Sequence, residues 1–122
     1  MEIKILVIDD DDEIRDFVEQ VLVSKYSVTL CATAQDGLQK MKSEKFDLII
    51  TDLQIGGASG FDVLKEIQTL SPVVPSIMMS SFTTLNYQSQ AEKFGASDYL
   101  YKPFEYKTLI EAIEKILDKK KG

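Results

Sequence analysis

Residues 5–17 read ILVIDDDDEIRDF and join an apolar run directly to four consecutive aspartates. The apolar run predicts a buried strand, and the apolar residues that recur every three or four positions after it predict a helix. Like charges repel, so each of the four carboxylates needs either solvent or a partner. Two interpretations are open: the acids cap the helix and suit its dipole, or some of them form a site at the end of the strand.

Short apolar segments alternate with amphipathic segments along the rest of the chain. The predicted strands cover residues 3–8, 27–32, 47–51, 76–80 and 98–101. They are almost continuously apolar, which is typical of strands that are covered on both faces in a parallel sheet. The predicted helices run from Ile14 to Leu22, from Thr33 to about Lys42, from Phe61 to Ile67, over 83–94 and from Leu109 to Leu117.

This alternation predicts an α/β fold of the flavodoxin-like, doubly wound (βα)5 type, with five parallel strands in the order 2-1-3-4-5. The segment 83–94 has the thinnest apolar face, mainly Leu85, Tyr87, Ala91 and Phe94, so we expect it to be held most loosely. The chain of 122 residues suits a single domain, residues 1–122, which can bury a core without disulfides.

The composition excludes several classes of function. The chain has no histidine and one cysteine, Cys31, which removes Ser/His and Cys/His nucleophiles and most zinc sites. A net charge of −6 argues against direct binding of nucleic acid by this domain, and the basic run Lys119–Lys121 is interpreted as a solvated helix end. Without a signal peptide or a long apolar run, the sequence predicts a soluble, cytoplasmic protein that does not bind membranes.

Side chains that can carry chemistry follow four of the five predicted strands. The carboxyl ends of parallel strands meet at one edge of a doubly wound sheet, which is where ligands bind. Carboxylates clustered at that edge favour a hard divalent cation, of which Mg²⁺ fits best. Three aspartates, one lysine and one Mg²⁺ together make an electrically neutral site. The residues concerned are Asp9, Asp10, Asp52, Ser80, Ser81, Lys102 and Pro103.

Each of these residues has a plainer interpretation when it is taken alone. Acids at residues 11–13 suit an N-cap and the first turn of a helix, and the two aspartates before them could belong to the same cap. Ser80 alone would be an ordinary strand-end hydroxyl, and Lys102 alone a solvated surface lysine. Tyr99 alone would be an amphipathic ring at the surface.

Four motifs taken together resemble those of the receiver domains of two-component response regulators. They are ILVIDDDDEIR, FDLIITDLQIGGASGFDVL, PSIMMSS and GASDYLYKPF, and they follow the family's order over nearly the whole chain. The resemblance implies that Asp52 is the phosphoacceptor. Asp10 would then bind Mg²⁺ directly and Asp9 through water. Asp52 itself and the backbone carbonyl of Gln54 would be further metal ligands.

The same resemblance implies a switch beside the site. The Ser80 hydroxyl would hydrogen-bond the phosphoryl group, Lys102 would pair with a phosphoryl oxygen, and the bond from Lys102 to Pro103 would be cis. Phosphorylation would draw Ser80 towards the site and leave space for Tyr99 to turn inward. The face formed by the fourth helix, the fifth strand and the fifth helix would be reshaped as a result.

The implied function is phosphorelay signal transduction. The partners would be a sensor histidine kinase or phosphotransfer protein as donor, a downstream effector domain or protein, and a second copy of the chain bound through the reshaped face. The protein would not be an enzyme with a separate substrate. It would be a phosphoacceptor regulator that catalyses its own phosphorylation and dephosphorylation.

The sequence departs from the family pattern at a few loop positions. Gly56 stands where the family often has proline, and Gly57 follows it, so we expect a mobile loop unless contacts hold it. Ser59 replaces a common acidic residue, and Ser81 replaces a frequent alanine. These changes bear on loop rigidity and on the lifetime of the phosphoryl group, because none of them removes a group that the chemistry needs.

Three other functions fit parts of the sequence. An aspartyl-phosphate phosphatase usually needs a second acid two residues after its nucleophile, where this chain has Gln54. A flavodoxin-like cofactor binder needs hydroxyl or glycine N–H donors in its first loop, where this chain has aspartates that would repel a phosphate. A pseudo-receiver would be a pure interaction module, and the full acceptor set argues against it.

Overall fold

Five parallel strands form the central sheet of the computed structural model, which describes residues 2–81 and 85–121 and their side chains except those of residues 85 and 119–121. Their order is β2-β1-β3-β4-β5, which confirms the predicted topology. The register aligns Val7 with Leu30 on one side and with Ile50 on the other. The strands are β1 (Lys4–Ile8), β2 (Ser27–Cys31), β3 (Leu48–Asp52), β4 (Ser76–Ser80) and β5 (Asp98–Tyr101).

Helices cover both faces of the sheet, and each predicted helix is present. Residues 83 and 84 of the predicted fourth helix lie outside the described residues, as do the side chains of the basic run Lys119–Lys121. Within the described part of the chain, none of the helices has the length and apolar character that crossing a membrane requires. The helices are α1 (Asp12–Leu22), α2 (Ala34–Ser43), α3 (Gly60–Ile67), α4 (Leu85–Lys93) and α5 (Tyr106–Lys121).

Two apolar layers, one on each face of the sheet, form the core. Val7 of β1 belongs to the layer that contains Val18 of α1 and Ile113 of α5. The preceding residue, Leu6, has its side chain on the other face of the sheet and belongs to the layer that contains Leu64 of α3. Every residue of β3 and β4 is buried, which explains why these segments are apolar without alternation.

The attachment of α4 to the core is the thinnest, as its sequence predicts. Ala91 is the one buried residue among the described side chains of this helix. Phe61 of α3 stacks on Tyr87 with ring centroids 6.4 Å apart, and it contacts Phe94 at 5.4 Å. Helix α4 therefore meets α3 through half-buried aromatic contacts.

The acidic start of α1 agrees with the capping interpretation for some of its acids. Asp11 is the N-cap residue, and its side chain accepts a hydrogen bond from the N–H of Glu13 at 2.9 Å. Asp12 and Glu13 occupy the first turn, where the helix dipole favours negative charge. Asp9 and Asp10 precede this cap, so their presence needs another explanation.

The loop after β3 folds into a short antiparallel ribbon, which the sequence analysis did not predict. Gln54–Ile55 pairs with Ala58–Ser59, and Gly56 in the turn has a φ of 62°, a conformation that favours glycine. Ile55 is buried beneath the ribbon. Strand pairing and this apolar anchor are the contacts that hold the two-glycine loop.

The ribbon leads into α3 through a tight contact at Gly60, whose N–H donates to the Leu53 carbonyl at 2.6 Å. A Cβ atom at Gly60 would overlap the backbone carbonyl of Asp52.

We therefore expect Gly60→Ala to lower the free energy of unfolding by about 1–3 kcal/mol. Gly57→Ala is the matched control because the space around Gly57 is open. Chemical denaturation measures both, and equal stability of Gly60→Ala and wild type would contradict the contact.

Candidate functional site

Three aspartates meet at the carboxyl ends of β1 and β3. Asp9 is completely buried, Asp52 is 9% exposed, and Asp10 reaches solvent. One carboxylate oxygen of each residue lies within 4.8 Å of the other two. Hard oxygen donors at this spacing are what Mg²⁺ prefers, so the donor set fits the metal that the sequence predicts.

Lys102 follows β5 and pairs with two of the three carboxylates. Its Nζ donates to Asp9 Oδ2 at 2.7 Å and lies 3.3 Å from Asp52 Oδ2. Burial lowers the pKa of Lys102, but the hydrogen bond to Asp9 and the charges of both aspartates outweigh burial and raise it overall. The lysine is therefore a fixed positive charge inside the acidic cluster.

Asp52 has the most perturbed environment of the three aspartates. Burial and the neighbouring charge of Asp9 raise its pKa to about 6, although the charge and hydrogen bond of Lys102 and the N–H of Leu53 act in the opposite direction. The Leu53 N–H donates to Asp52 Oδ1 at 2.8 Å. This bond fixes the carboxylate and leaves its second oxygen beside Lys102.

A cleft of about 330 Å³ opens above the carboxylates. Ser80, which is almost fully buried, and the exposed Ser81 both line it. The structure thus brings the strand-end residues predicted from the sequence to one edge of the sheet. The residues that line the cleft are Asp10, Asp11, Asp52, Gln54, Gly56, Ser80, Ser81 and Lys102.

Tyr99 lies inward behind Ser80. Its side chain is 6% exposed; burial raises the pKa of Tyr99, and the neighbouring Ser80 hydroxyl lowers that pKa in part. The surface-ring interpretation of Tyr99 is therefore wrong. The bond between Lys102 and Pro103 is cis, as the resemblance implies.

Tyr101, two residues further along β5, extends this arrangement to α4. Its ring packs against Tyr99 at a centroid distance of 5.2 Å, and its hydroxyl donates to Gln88 at 2.6 Å. The sequence analysis did not single out this contact, because a strand pattern gives no indication of which helix residue a tyrosine hydroxyl will reach.

Two further contacts at the cleft also escaped the sequence analysis. The Gly56 N–H of the ribbon donates to Asp10 Oδ2 at 2.9 Å. Arg15 of α1 donates from Nη1 to the backbone carbonyl of Asp9 at 2.7 Å. The sequence indicates that Arg15 has an acidic neighbourhood, since it is the chain's single arginine and comes shortly after five consecutive acids, but it does not indicate the carbonyl that Arg15 reaches.

Comparison with known proteins identifies the family. The sequence model of the response regulator receiver domain family matches residues 5–114, so the chain belongs to that family. Receiver domains accept a phosphoryl group on an aspartate in two-component signal transduction and bind Mg²⁺ at an acidic pocket. They interact with kinases and with effector domains.

Individual relatives agree in fold and in sequence. The chain is 35% identical over 116 residues to the transcriptional regulatory protein ZraR of Salmonella typhimurium; the match covers 94% of this chain and 26% of ZraR, about a quarter of its length. A CheY-like receiver domain protein of Methanospirillum hungatei is 32% identical, with a TM-score of 0.92 over the whole of both chains. The BeF3-activated DrrB receiver domain is 26% identical, with a TM-score of 0.90 over 97% of this chain and 99% of that one. DrrB comes from Thermotoga maritima.

The raised pKa of Asp52, about 6, predicts a pH dependence of stability for the metal-free protein. The native state holds this proton between about pH 4 and 6, where the unfolded chain has already lost it. Stability should therefore fall as pH rises through that window, by about 3 kcal/mol at roughly 1.4 kcal/mol per pKa unit, and level off above it. Denaturation at a series of pH values in EDTA measures this, and Asp52→Asn should lack the fall. An equal fall in Asp52→Asn would contradict the assignment.

Proposed function

We propose that Asp52 accepts a phosphoryl group from the phosphohistidine of a sensor histidine kinase or phosphotransfer protein, in a reaction that depends on Mg²⁺. The observation that carries the proposal is the position of Asp52 in the cleft, with one oxygen held by Leu53 and the other 3.3 Å from Lys102. The domain that performs this function is proposed to span residues 1–122.

The chain's own residues supply alignment and charge. The Asp52 carboxylate is ionised at neutral pH, because its pKa of about 6 lies below it, and it attacks the phosphorus in line. The Lys102 ammonium donates to an equatorial phosphoryl oxygen and offsets the charge that develops there. The phosphorus–nitrogen bond to the donor histidine breaks as the new phosphorus–oxygen bond forms, and the imidazole leaves.

The proposed metal ligands are carboxylate oxygens of Asp10 and Asp52, the backbone carbonyl of Gln54, and Asp9 through water. When bound, Mg²⁺ supplies the remaining positive charge at the phosphoryl oxygens. The fit rests on the three oxygens that lie within 4.8 Å of one another and on the position of Gln54 at the cleft.

The reaction is proposed to be the chain's own phosphorylation and later dephosphorylation, with no separate substrate. The product is an acyl phosphate, which water cleaves. A phosphatase of the aspartyl-phosphate class would place an acid where this chain has Gln54, and an amide cannot donate a proton to a leaving group in that way.

The proposed switch uses Ser80 and Tyr99. Ser80 turns its hydroxyl to the phosphoryl group, and its proximity to Tyr99 links that movement to β5. Tyr101 and its bond to Gln88 connect β5 to α4. Phosphorylation would thus shift a pre-existing equilibrium in the face formed by α4, β5 and α5.

That face is the proposed output surface, for a downstream effector domain or protein or for a second copy of the chain. Its exposed tyrosines support this: Tyr101 is 36% and Tyr106 60% exposed, and aromatic side chains are enriched in interfaces. ZraR is a transcriptional regulatory protein, and this chain matches only part of it. Nucleic acid would then be bound by an effector rather than by this acidic domain. The domain itself would act in the cytoplasm and without a membrane contact.

Acetyl phosphate with Mg²⁺ should phosphorylate the protein once. We expect intact mass spectrometry to show one added phosphoryl group in the wild type and none in Asp52→Asn, because that change removes the nucleophile. Asp62→Asn is the matched control, since Asp62 is an exposed aspartate outside the cleft. Undiminished labelling of Asp52→Asn would contradict the assignment of Asp52.

Beryllofluoride with Mg²⁺ should change amide hydrogen exchange in α4, β5 and the start of α5, and little in α1 and α2. We expect Ser80→Ala and Tyr99→Ala to accept phosphate still but to transmit less of this change, because the link between cleft and face is broken. Ser81→Ala removes the neighbouring exposed hydroxyl and should respond like the wild type. A response centred on residues 12–45, or one that survives intact in both switch variants, would defeat the proposed switch even if Asp52 is phosphorylated.

A further inference from the structure

Arg15 connects the first turns of α1 to the end of β1. Its side chain is 17% exposed, and its Nη1 donates to the backbone carbonyl of Asp9 at 2.7 Å. Its Nη2 forms an ion pair with Asp12, a side chain that is 85% exposed. A planar guanidinium has donors on both sides of its fork, so one side chain can hold both oxygens at once.

The other groups of Asp9 are fixed as well. Its N–H donates to the Cys31 carbonyl at 3.1 Å, which continues the pairing of β1 with β2. Its carboxylate accepts from the Asp11 N–H at 2.9 Å and from Lys102 at 2.7 Å. The carbonyl held by Arg15 belongs to the peptide that joins Asp9 to Asp10. The orientation of that peptide sets the direction in which the Asp10 side chain leaves the backbone.

We propose that Arg15 is a positioning residue for the metal site: by holding the Asp9 carbonyl, it orients the peptide that presents Asp10 to the cleft. The proposal rests on the proposed function, in which Asp10 is a metal ligand. Groups that hydrogen-bond the ligands of a metal and hold them in place contribute strongly to metal affinity. Arg15 acts through the backbone and does not touch the metal itself.

Two other roles for Arg15 predict different effects of its removal on Mg²⁺ binding. If the guanidinium acted only through its charge, it would repel a divalent cation, and its removal would tighten Mg²⁺ binding. If Arg15 only stabilised the start of α1 through Asp12, its loss would lower the stability of the fold and leave the Mg²⁺ affinity of the folded protein unchanged. Of the three roles, only the positioning role predicts that removal of Arg15 weakens Mg²⁺ binding.

The test compares the full chain with Arg15→Gln, Arg15→Lys and Asp12→Asn. Titration calorimetry gives the dissociation constant for Mg²⁺ at one fixed ionic strength, and chemical denaturation gives the stability of each protein separately. We expect Arg15→Gln to weaken Mg²⁺ binding about tenfold, at the lower end of the range for outer-shell partners. Arg15→Lys keeps the charge and one donor, so it should recover part of the affinity. Asp12→Asn leaves the Asp9 carbonyl bond in place and should stay within about twofold of the wild type.

Unchanged or tighter binding in Arg15→Gln would overturn the proposal, and so would an equal loss in Asp12→Asn. If Arg15→Gln does not fold, Arg15→Met takes its place, because it keeps an apolar stem and removes every donor, and Mg²⁺ affinity equal to the wild type in Arg15→Met would overturn the proposal. The Asp11 N–H, which donates to the Asp9 carboxylate, gives a metal-free readout. Its hydrogen should exchange with solvent faster once the Asp9 peptide is released. If the wild type binds no Mg²⁺, the proposed function fails, and unchanged exchange of this amide would overturn the positioning role as well.

Discussion

The ion pair between Asp9 and Lys102 constrains both the fold and the site. Asp9 is fully buried, and an ionised carboxylate away from water is strongly unfavourable unless it is paired and hydrogen-bonded. Lys102 lies 93 residues further along the chain and follows the last strand of the sheet, yet it donates to Asp9 at 2.7 Å. The pair can therefore form only when β1, β3, β4 and β5 are assembled in order. Breaking it by removing Lys102 would leave a buried charge without its cation, so the stability of the edge and the chemistry of the cleft depend on the same contact.

The same lysine sets the state of Asp52. Burial and the charge of Asp9 raise the pKa of Asp52 to about 6, and Lys102 limits that rise. A carboxylate with this pKa is ionised at neutral pH and more basic than a solvated aspartate, which suits a nucleophile. Without the lysine, burial and Asp9 would favour the protonated acid, which cannot attack. The acidic cluster is thus balanced so that one member is shielded, one is accessible to solvent, and one is the proposed acceptor.

Most of the sheet and the set of residues at its edge could be predicted from the sequence, because the strands are almost continuously apolar and four of the five end at or before a polar side chain. Four polar residues stand directly after such runs or at their ends, and parallel strands bring those ends together. These residues are Asp9, Asp52, Ser80 and Lys102. The ribbon after β3 could not be predicted, because its pairing depends on a two-glycine turn and on the burial of Ile55. The bond from Arg15 to a backbone carbonyl, and the bond from Tyr101 to Gln88, depend on where the folded backbone places an acceptor. No side-chain pattern encodes that position.

The buried position of Tyr99 decides what the proposed switch can act on. The ring lies beside Ser80 and packs against Tyr101, so a movement of Ser80 would reach β5 through this ring. A serine hydroxyl has one donor and two acceptor lone pairs, so in the proposed switch a Ser80 that donates to a phosphoryl oxygen can no longer donate to the Tyr99 oxygen, but it could still accept from the Tyr99 hydroxyl. The contact with the phosphoryl group and the contact with Tyr99 would then be coupled by linkage. A ligand shifts such an equilibrium only by its differential affinity for the two states, so the strength of the proposed Ser80 bond to the phosphoryl group would bound the signal that reaches α4 through this route.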